Sequence, residues 1–247
     1  MDIEEFTGIC IKIILGGIKM PLLKLKKVEK VYQEGEIEVP ALRGIDLEVE
    51  EGEFTTVFGP SGSGKTTLLN LVGALDKPTR GQVTINGENI GELSKNELAL
   101  LRRHNIGFIF QSYNLIPVLT AFENVEFALR IAEGKKKKGA REKVIQILTQ
   151  VGLGDMLNRR PNELSGGQKQ RVAVARALVK EPRIVLADEP TANLDSDTGK
   201  EVLKIMADMN RELKTTFIFS THDPMVMEYA NRLLELHDGL ITREEKR

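Results

Sequence analysis

The 247-residue chain carries 35 Lys plus Arg against 36 Asp plus Glu, a formal net charge of −1. This balance gives no reason to expect a nucleic-acid partner, because contacts to a phosphate backbone need a basic face. The length fits one large domain, or one domain with an inserted subdomain, and 41% hydrophobic and 29% charged residues are ordinary for a globular protein.

An apolar stretch lies near the start of the chain. Residues 6–20 read FTGICIKIILGGIKM, but Lys12 and Lys19 interrupt the run, so it falls short of the roughly 18 consecutive apolar residues of a membrane span. Three interpretations are open: a short membrane-surface anchor, a signal-like segment, or a leader coded upstream of a true start at Met20. Three acidic residues among the first five disfavour a signal peptide, because its first region is basic. We interpret residues 1–20 as an extension that is extraneous or disordered.

Two further features bear on the environment of the protein. Cys10 is the single cysteine, which excludes an intrachain disulfide and suits a reducing cytosol. Four consecutive lysines at residues 135–138 form the one basic cluster, flanked by Gly134 and Gly139. We interpret this lysine run as a solvated loop between helices, with contact to anionic lipid as the alternative.

Alternating apolar residues predict an antiparallel β layer in the first part of the chain. The runs cover residues 23–31, 42–49 and 83–85, and the third closes on an Asn86-Gly87 turn. Tyr32 ends the first run, 27 residues before Gly59. An aromatic ring at that place could stack on a purine, although a tyrosine at a strand end is otherwise ordinary surface structure.

The sequence GPSGSGKT at residues 59–66 fits the pattern G-x-x-x-x-G-K-[S/T] of phosphate-binding loops. The β-prone run Phe54–Phe58 precedes it and an apolar helical run follows, which makes a chance match in a glycine-rich turn less attractive. Glycines let backbone N–H groups turn toward an anion, and the helix start adds unpaired amides. We expect Lys65 to reach the β- and γ-phosphates of a nucleotide and the Thr66 hydroxyl to bind Mg²⁺. The predicted nucleotide-binding residues of this loop are Gly59, Pro60, Ser61, Gly62, Ser63, Gly64, Lys65, Thr66 and Thr67.

Helical patterns crowd the middle of the chain and interrupt an otherwise alternating β/α order. Ser94 is a natural cap for a helix, and further helices are predicted over residues 121–132 and 141–151. Between them, a short apolar strand ends on Gln111. The pattern predicts a helical subdomain over about residues 94–161. This subdomain would be inserted into an α/β core formed by about residues 21–93 and 162–247.

A second helix start suited to an anion follows after Leu164. The sequence LSGGQ places Ser165 as a natural N-cap and leaves the amides of Gly166 and Gly167 open, directly before Gln168. The alternative is a glycine-rich cap on a surface helix.

Two apolar strands then end on groups that can act on a nucleotide. The first ends on Asp188 and Glu189, and carboxylates at the C-terminal edge of a parallel sheet lie where ligands bind. Asp188 can hold Mg²⁺ through water, and Glu189 can polarise an attacking water. Asp195 follows, ahead of a helix that we expect Ser196 to cap. His222 lies past the second strand and can reach a γ-phosphate. Exposed acids after a strand and a capping or packing histidine are the ordinary alternatives.

In this order and spacing, these pieces resemble the ATP-binding-cassette (ABC) ATPases. The phosphate loop, the loop at Gln111, LSGGQ, ILADEPTANLD and STHD all appear without substitution, and the match runs from about residue 22 to residue 241. Within the family, FQSYNLIPVLTAFENVE and RRPNELSGGQKQRVAVARAL are most similar to the macrolide-export and lipoprotein-release type (MacB- and LolD-like). The resemblance implies ATP hydrolysis with Mg²⁺. It also implies a P-loop NTPase (RecA-like) α/β core with an antiparallel β subdomain and an inserted α-helical subdomain.

The resemblance further implies a role for each residue of the pattern. Tyr32 would stack on adenine, Gln111 would contact Mg²⁺ and lie where a membrane partner couples, and Ser165 with its two glycines would bind the γ-phosphate held by a second copy. The implied catalytic residues are Lys65, Glu189 and His222; the metal residues are Thr66, Gln111 and Asp188; and Ser165, Gly166, Gly167, Gln168 and Asp195 complete the nucleotide-binding set.

The same resemblance implies partners and a location. We expect a head-to-tail homodimer held together by ATP, and an integral membrane permease as a separate subunit. Because the chain shows no span of its own, we expect it to be peripheral, at the cytoplasmic face of the membrane. The alternatives are a non-transport ABC ATPase that regulates a membrane partner, as in cell division, and a module that no longer hydrolyses ATP. Intact Glu189 and His222 disfavour the second alternative, and no N-K-x-D motif supports a GTPase.

Overall fold

The computed structural model describes residues 20–134 and 139–247. The interpretations of residues 1–19, including Cys10, and of the lysine run at 135–138 fall on residues outside this description. Within the described ranges, no helix combines the length and the apolar character that crossing a bilayer requires.

The described residues form ten strands and seven helices. The strands are β1 (Leu23–Glu34), β2 (Ile37–Val49), β3 (Phe54–Phe58), β4 (Arg80–Ile85), β5 (Glu88–Asn89), β6 (Ile106–Phe110), β7 (Ile184–Asp188), β8 (Thr216–Ser220), β9 (Arg232–His237) and β10 (Leu240–Lys246). The helices are α1 (Lys65–Val72), α2 (Lys95–Asn105), α3 (Ala121–Glu133), α4 (Ala140–Gln150), α5 (Gly166–Leu178), α6 (Ser196–Leu213) and α7 (Pro224–Tyr229), with 3-10 turns at Gly154–Met156 and Pro161–Glu163.

The central sheet has the strand order β10-β9-β3-β8-β7-β6. All strands from β9 to β6 in this order are parallel to their neighbours, and β10 pairs antiparallel with β9. Strands β3, β7 and β8 are almost wholly buried, as expected for a parallel sheet covered by helices on both faces. Because the carboxyl ends of parallel strands share one edge, the segments that follow β3, β6, β7 and β8 meet there.

The predicted antiparallel layer is confirmed as a separate sheet with the order β2-β1-β4-β5. Its alternating apolar residues, such as Leu23 and Ile45, are buried in a cluster that also contains the apolar side chains of α1. Asn86 (φ 51°) and Gly87 (φ 82°) both adopt positive φ at the predicted turn after β4. This layer therefore packs directly against the helix that follows the phosphate-binding loop.

The helical region begins later in the chain than the sequence suggests. Strand β6 pairs with β7 in the central sheet, so the predicted insertion over residues 94–161 contains one strand of the core. Leu98 and Leu101 of α2 are buried in the same cluster as the antiparallel sheet. Helices α3 and α4 instead bury Val125, Leu129 and further apolar residues in the second cluster, together with α5. The segment that departs from the core sheet therefore starts after β6.

Polar caps fix where several helices begin. Ser94 and Ser165 form capping boxes with Glu97 and Gln168, as the sequence predicts for these N-caps. The prediction that Ser196 caps the next helix is wrong. Asp195 is the N-cap of α6, because its carboxylate accepts a hydrogen bond from Thr198 N at 3.0 Å.

Candidate functional site

A cavity of about 730 Å³ lies at the carboxyl edge of the central sheet. It is formed by the segments that follow β3, β6, β7 and β8, together with part of β2. Its lining residues are Val39, Pro40, Ala41, Gly59, Pro60, Ser61, Gly62, Gly64, Lys65, Thr66, Thr67, Gln111, Asp188, Glu189, Ala192, Ser220 and His222. Most of the residues that the sequence analysis selected therefore share one cavity.

The loop between β3 and α1 has a backbone that only glycine accommodates well. Gly64 has φ 103°, and a Cβ there would lie 2.5 Å from Ala41 O. Gly59 has φ 152°, and a Cβ there would lie 2.0 Å from Leu236 O. The β9–β10 hairpin braces the loop from outside, since Gly239 N donates to Ser63 O at 3.0 Å. The glycines thus hold the loop in a compact turn between β2 and this hairpin.

The start of α1 is open to an anion. Its N-cap is Gly64, which has no side chain to satisfy the first amides of the helix, and its first turn contains no acidic residue. Lys65 Nζ donates to Gly59 O at 2.8 Å and Pro60 O at 2.9 Å, so the ammonium lies over the loop. Ser63 Oγ is buried and has no hydrogen-bond partner among the described residues. Open amides, a helix dipole and a cation together make a site for phosphate groups.

The polar groups next to this loop suit a divalent cation. Thr66, Gln111 and Asp188 line the same cavity. Burial raises the pKa of Asp188 and the neighbouring charge of Glu189 adds to this, while the Ser220 hydroxyl and Lys65 act in the opposite direction. The described residues contain no group of three or more His, Cys, Asp or Glu side chains that could hold a metal by themselves. One carboxylate with a hydroxyl and an amide fits Mg²⁺, which keeps several waters and takes further ligands from phosphates.

Glu189 and His222 are joined directly. Strand β7 ends at Asp188, and Glu189 turns the chain with φ 45° while its N–H donates to Ser220 O at 2.8 Å. The Glu189 carboxylate accepts from Thr221 Oγ1 at 2.8 Å and lies 2.7 Å from His222 Nδ1. Because an ionised carboxylate can only accept, Nδ1 is the donor in this bond. The pair presents an oriented carboxylate to the cavity.

Tyr32, the residue predicted to stack on adenine, does not line the cavity. Tyr32 OH donates to Asp76 Oδ2 at 3.1 Å, and the Lys30 ammonium lies 4.9 Å from the centroid of its ring. The Tyr32 backbone pairs with that of Val39 across the β1–β2 ladder, and Val39, Pro40 and Ala41 of β2 reach the cavity instead. The stacking of Tyr32 on adenine stays a prediction.

The second helix start suited to an anion, at the beginning of α5, lies outside this cavity. Residues 165–168 do not line the cavity, and neither does Asp195. Ser165 is exposed, and the first turn of α5 contains no acidic residue. A Cβ at Gly167 would lie 2.2 Å from Thr198 Cγ2, so close packing against the start of α6 requires glycine there. The part of the chain that the structure describes therefore includes, besides the helix start in the cavity, a second helix start suited to an anion that lies outside the cavity.

Sequence reasoning missed the residues that hold the cavity segments in place. Arg176 of α5 donates to Tyr113 O at 2.7 Å and also to Asn114 O, two and three residues after Gln111. Asn193 Nδ2 donates to Gln111 O at 2.9 Å. These are side-chain contacts to backbone carbonyls more than sixty residues away, and no local pattern in the sequence indicates them.

Comparisons with known proteins agree with this geometry. A family model described as ABC transporter matches residues 42–192. The chain is 46% identical to the lipoprotein-releasing system ATP-binding protein LolD of Anaeromyxobacter dehalogenans, over 92% of this chain and 95% of that protein. It is 46% identical to the macrolide export ATP-binding/permease protein MacB of Syntrophobacter fumaroxidans, over 91% of this chain but only 32% of that protein.

A solved relative extends the comparison to the fold. A dimeric ATP-binding cassette of Methanocaldococcus jannaschii, in a post-hydrolysis state bound to ADP and Pi, has 45% sequence identity and a TM-score of 0.83. The superposition covers 91% of this chain and 98% of that one. The predicted P-loop NTPase fold is thereby confirmed.

Proposed function

This chain belongs to the ABC transporter family and is an ATPase, and we propose that two copies of it close head to tail on ATP to drive a separate membrane permease. The observation that carries the proposal is the pair of anion-suited helix starts, one inside the cavity at Gly64 and one outside it at Ser165. A second copy would bring the outer helix start to the nucleotide that the first copy holds.

The polar groups of the cavity divide between the phosphates and a metal ion. The backbone amides left open in the loop and at the start of α1, together with the Lys65 ammonium, hold the phosphates. Thr66, Gln111 and Asp188 would hold Mg²⁺, which when bound offsets the negative charge of the β- and γ-phosphates. A cation beside Asp188 also relieves the unfavourable burial of its carboxylate next to Glu189.

Hydrolysis follows from the position of Glu189. Its carboxylate orients a water and accepts a proton from it as the water oxygen bonds to the γ-phosphorus and the bond to the β–γ bridging oxygen breaks. The products are ADP and phosphate. His222 holds the carboxylate from one side and reaches the γ-phosphate from the other, so it links the base to the group that reacts.

Dimer closure depends on the γ-phosphate. In a head-to-tail pair related by a two-fold axis, the start of α5 in each copy approaches the ATP of the other copy. The residues of this helix start are Ser165, Gly166, Gly167 and Gln168, and Asp195 lies beside them at the start of α6. Loss of the γ-phosphate removes these contacts, so the open state becomes favoured after hydrolysis. Tyr32 is proposed to stack on the adenine once nucleotide is bound.

The membrane partner is inferred from relatives of two lengths. The LolD relative matches this chain over almost its whole length and is an ATP-binding protein of a lipoprotein-releasing system, whereas MacB, of which this chain spans about a third, is an ATP-binding/permease protein. We propose that a separate permease supplies the function of the remaining part of MacB. The chain would then lie at the cytoplasmic face of the membrane as a peripheral subunit.

A crosslinking experiment tests the head-to-tail dimer. Two chains that carry Cys10→Ser are prepared, one with Ser61→Cys in the loop and one with Ser165→Cys at the start of α5, both with Glu189→Gln to prevent turnover. We expect a crosslink between the two chains only when ATP and Mg²⁺ are present. A Glu189→Gln chain that stays monomeric and uncrosslinked with saturating ATP would overturn the proposal.

A further inference from the structure

Gln170 is a fully buried amide on α5 that does not line the cavity. Its Nε2 donates to Pro190 O at 2.8 Å, and Pro190 directly follows Glu189. The other end of the amide, Oε1, is buried and has no hydrogen-bond partner among the described residues. A polar side chain is thus buried here for the sake of a single hydrogen bond to the backbone next to Glu189.

Stability of the helix does not account for this side chain. Burying an amide oxygen without a partner is unfavourable, and an apolar side chain of similar size would avoid that cost. The neighbouring positions Val172, Ala173 and Val174 show that α5 otherwise buries apolar groups. The benefit of Gln170 must therefore lie in what it holds.

The segment that Gln170 holds is strained. Glu189 has φ 45°, a left-handed conformation that is unfavourable for a residue with a side chain. Such a conformation persists only where the surrounding structure fixes it. Glu189 N donates to Ser220 O on one side, and Thr191 Oγ1 donates to Asp223 Oδ2 at 2.7 Å on the other. Within the turn, the Glu189 carbonyl accepts from Ala192 N at 3.3 Å. Pro190 lacks an N–H, so this residue can be held through its backbone only at its carbonyl, which accepts from Gln170.

We propose that Gln170 is a positioning residue for ATP hydrolysis: its bond to Pro190 keeps the turn at Glu189 in the left-handed conformation and so aims the carboxylate at Thr221 and His222. The inference rests on the proposed role of Glu189 as the base. Without the bond, the peptide between Pro190 and Thr191 can rotate, the strained backbone at Glu189 can relax, and the carboxylate moves away from its place in the cavity.

The test replaces the Gln170 amide with an apolar group while keeping the volume of the side chain similar. Gln170→Leu and Gln170→Met remove the donor, and the unbranched Met variant serves where the Leu variant does not fold. The matched control is Asn210→Leu, since Asn210 is another buried amide that donates to backbone carbonyls, of Gly52 and Thr215, away from the cavity. Steady-state ATP turnover, KM for ATP and thermal melting are measured for all variants.

We expect a selective loss of turnover. The Gln170 variants should lose about 10- to 100-fold in kcat, because a small displacement of a reacting group has effects of this size, while KM stays within about twofold. They should also accumulate ATP-bound dimer, since slow hydrolysis delays opening, and a merely destabilised protein would not. Asn210→Leu removes two hydrogen bonds and should lower the melting temperature, but it should leave kcat of the folded protein within about twofold.

A double variant separates positioning from packing. A Glu189→Gln chain lacks the carboxylate that Gln170 is proposed to orient. Adding Gln170→Leu to it should therefore change the residual ATP turnover by less than about twofold. The inference is overturned if Gln170→Leu and Gln170→Met keep wild-type kcat, or if the same fold loss appears in the Glu189→Gln background. Wild-type turnover by Glu189→Gln alone would instead overturn the proposed role of Glu189.

Discussion

The carboxylate of Glu189 and the imidazole of His222 meet at 2.7 Å, from Oε1 to Nδ1. The other carboxylate oxygen accepts a hydrogen bond from Thr221. Only 17% of the Glu189 side chain is exposed, compared with 77% of the His222 side chain. The carboxylate proposed as the base is therefore largely buried in the cavity wall, and its exposed partner lines the same cavity.

Removing the imidazole should disable hydrolysis and spare binding. We expect His222→Ala to reduce kcat by at least about 100-fold, because the carboxylate loses one of its two partners and the γ-phosphate loses its contact. The Kd for ATP should stay within about threefold, since the phosphate loop is intact. His237→Ala is the control, because His237 is exposed on the β9–β10 hairpin outside the cavity, where its Nδ1 lies 3.3 Å from Asp238 Oδ2. Wild-type turnover by His222→Ala would remove His222 from the mechanism.

The charge of Lys65 should contribute to the affinity of the protein for ATP. Lys65→Ala leaves the helix start at Gly64 in place but removes the cation, and we expect the Kd for ATP to rise about 10- to 100-fold, the effect of losing charged hydrogen bonds. Lys77→Ala is a matched control, because Lys77 also donates to two backbone carbonyls, of Gly91 and Leu93, outside the cavity. Calorimetric titration with ATP measures both. Equal affinities for the two variants would contradict the phosphate-loop assignment.

The free energy of unfolding should depend on pH through the titration of Lys180. Burial lowers its pKa from 10.5 to about 8, although its ammonium donates to Arg102 O at 2.9 Å. Between about pH 8 and the ordinary lysine pKa of about 10.4, the unfolded chain binds more protons than the folded one, so the contribution of Lys180 to the unfolding free energy rises with pH. Below about pH 8 both states are protonated and the folded state carries a buried charge.

Chemical unfolding at a series of pH values checks this. Relative to Lys180→Met, the wild-type protein should gain about 1–2 kcal/mol of unfolding free energy from pH 7 to pH 10, after allowance for partial solvent screening. Lys204→Met, at an exposed lysine of α6, controls for the loss of one charge. A difference between wild type and Lys180→Met that does not vary with pH would show that Lys180 is not buried in this way.

The parts of the site that the sequence predicts are those whose geometry is local. The loop at residues 59–66 has its own strand, glycines and helix start, and the capping boxes of Ser94 and Ser165 each span four residues, so their hydrogen bonds can be inferred from spacing. Asp188 and His222 line one cavity because the carboxyl ends of parallel strands share an edge, and the alternation of strands and helices in the second half of the chain already implies a parallel sheet.

The parts that could not be predicted depend on distant pairing. Strand β6 lies between helical segments of the sequence, and its place in the central sheet depends on its pairing with β7. Asp195 and Ser196 are both good N-caps, and sequence alone cannot choose between neighbours. Gln170 lies in a run of polar residues whose helical spacing does not distinguish a buried amide from an exposed one, and its partner is Pro190, twenty residues away.

The start of α5 should act on a partner's nucleotide and not on its own. Ser165→Arg places a long cation at an exposed helix start that does not line the cavity, so we expect ATP binding to one chain to be unchanged while ATP-dependent dimerisation and turnover fall at least about 100-fold. Ser94→Arg is matched to it, because both serines are exposed N-caps whose Oγ accepts from the N3 amide at 3.3 Å. Each variant should lose about 0.5–2 kcal/mol of stability with the cap, but Ser94→Arg should keep turnover within about twofold. Equal turnover of the two variants would mean that Ser165 is a cap and nothing more.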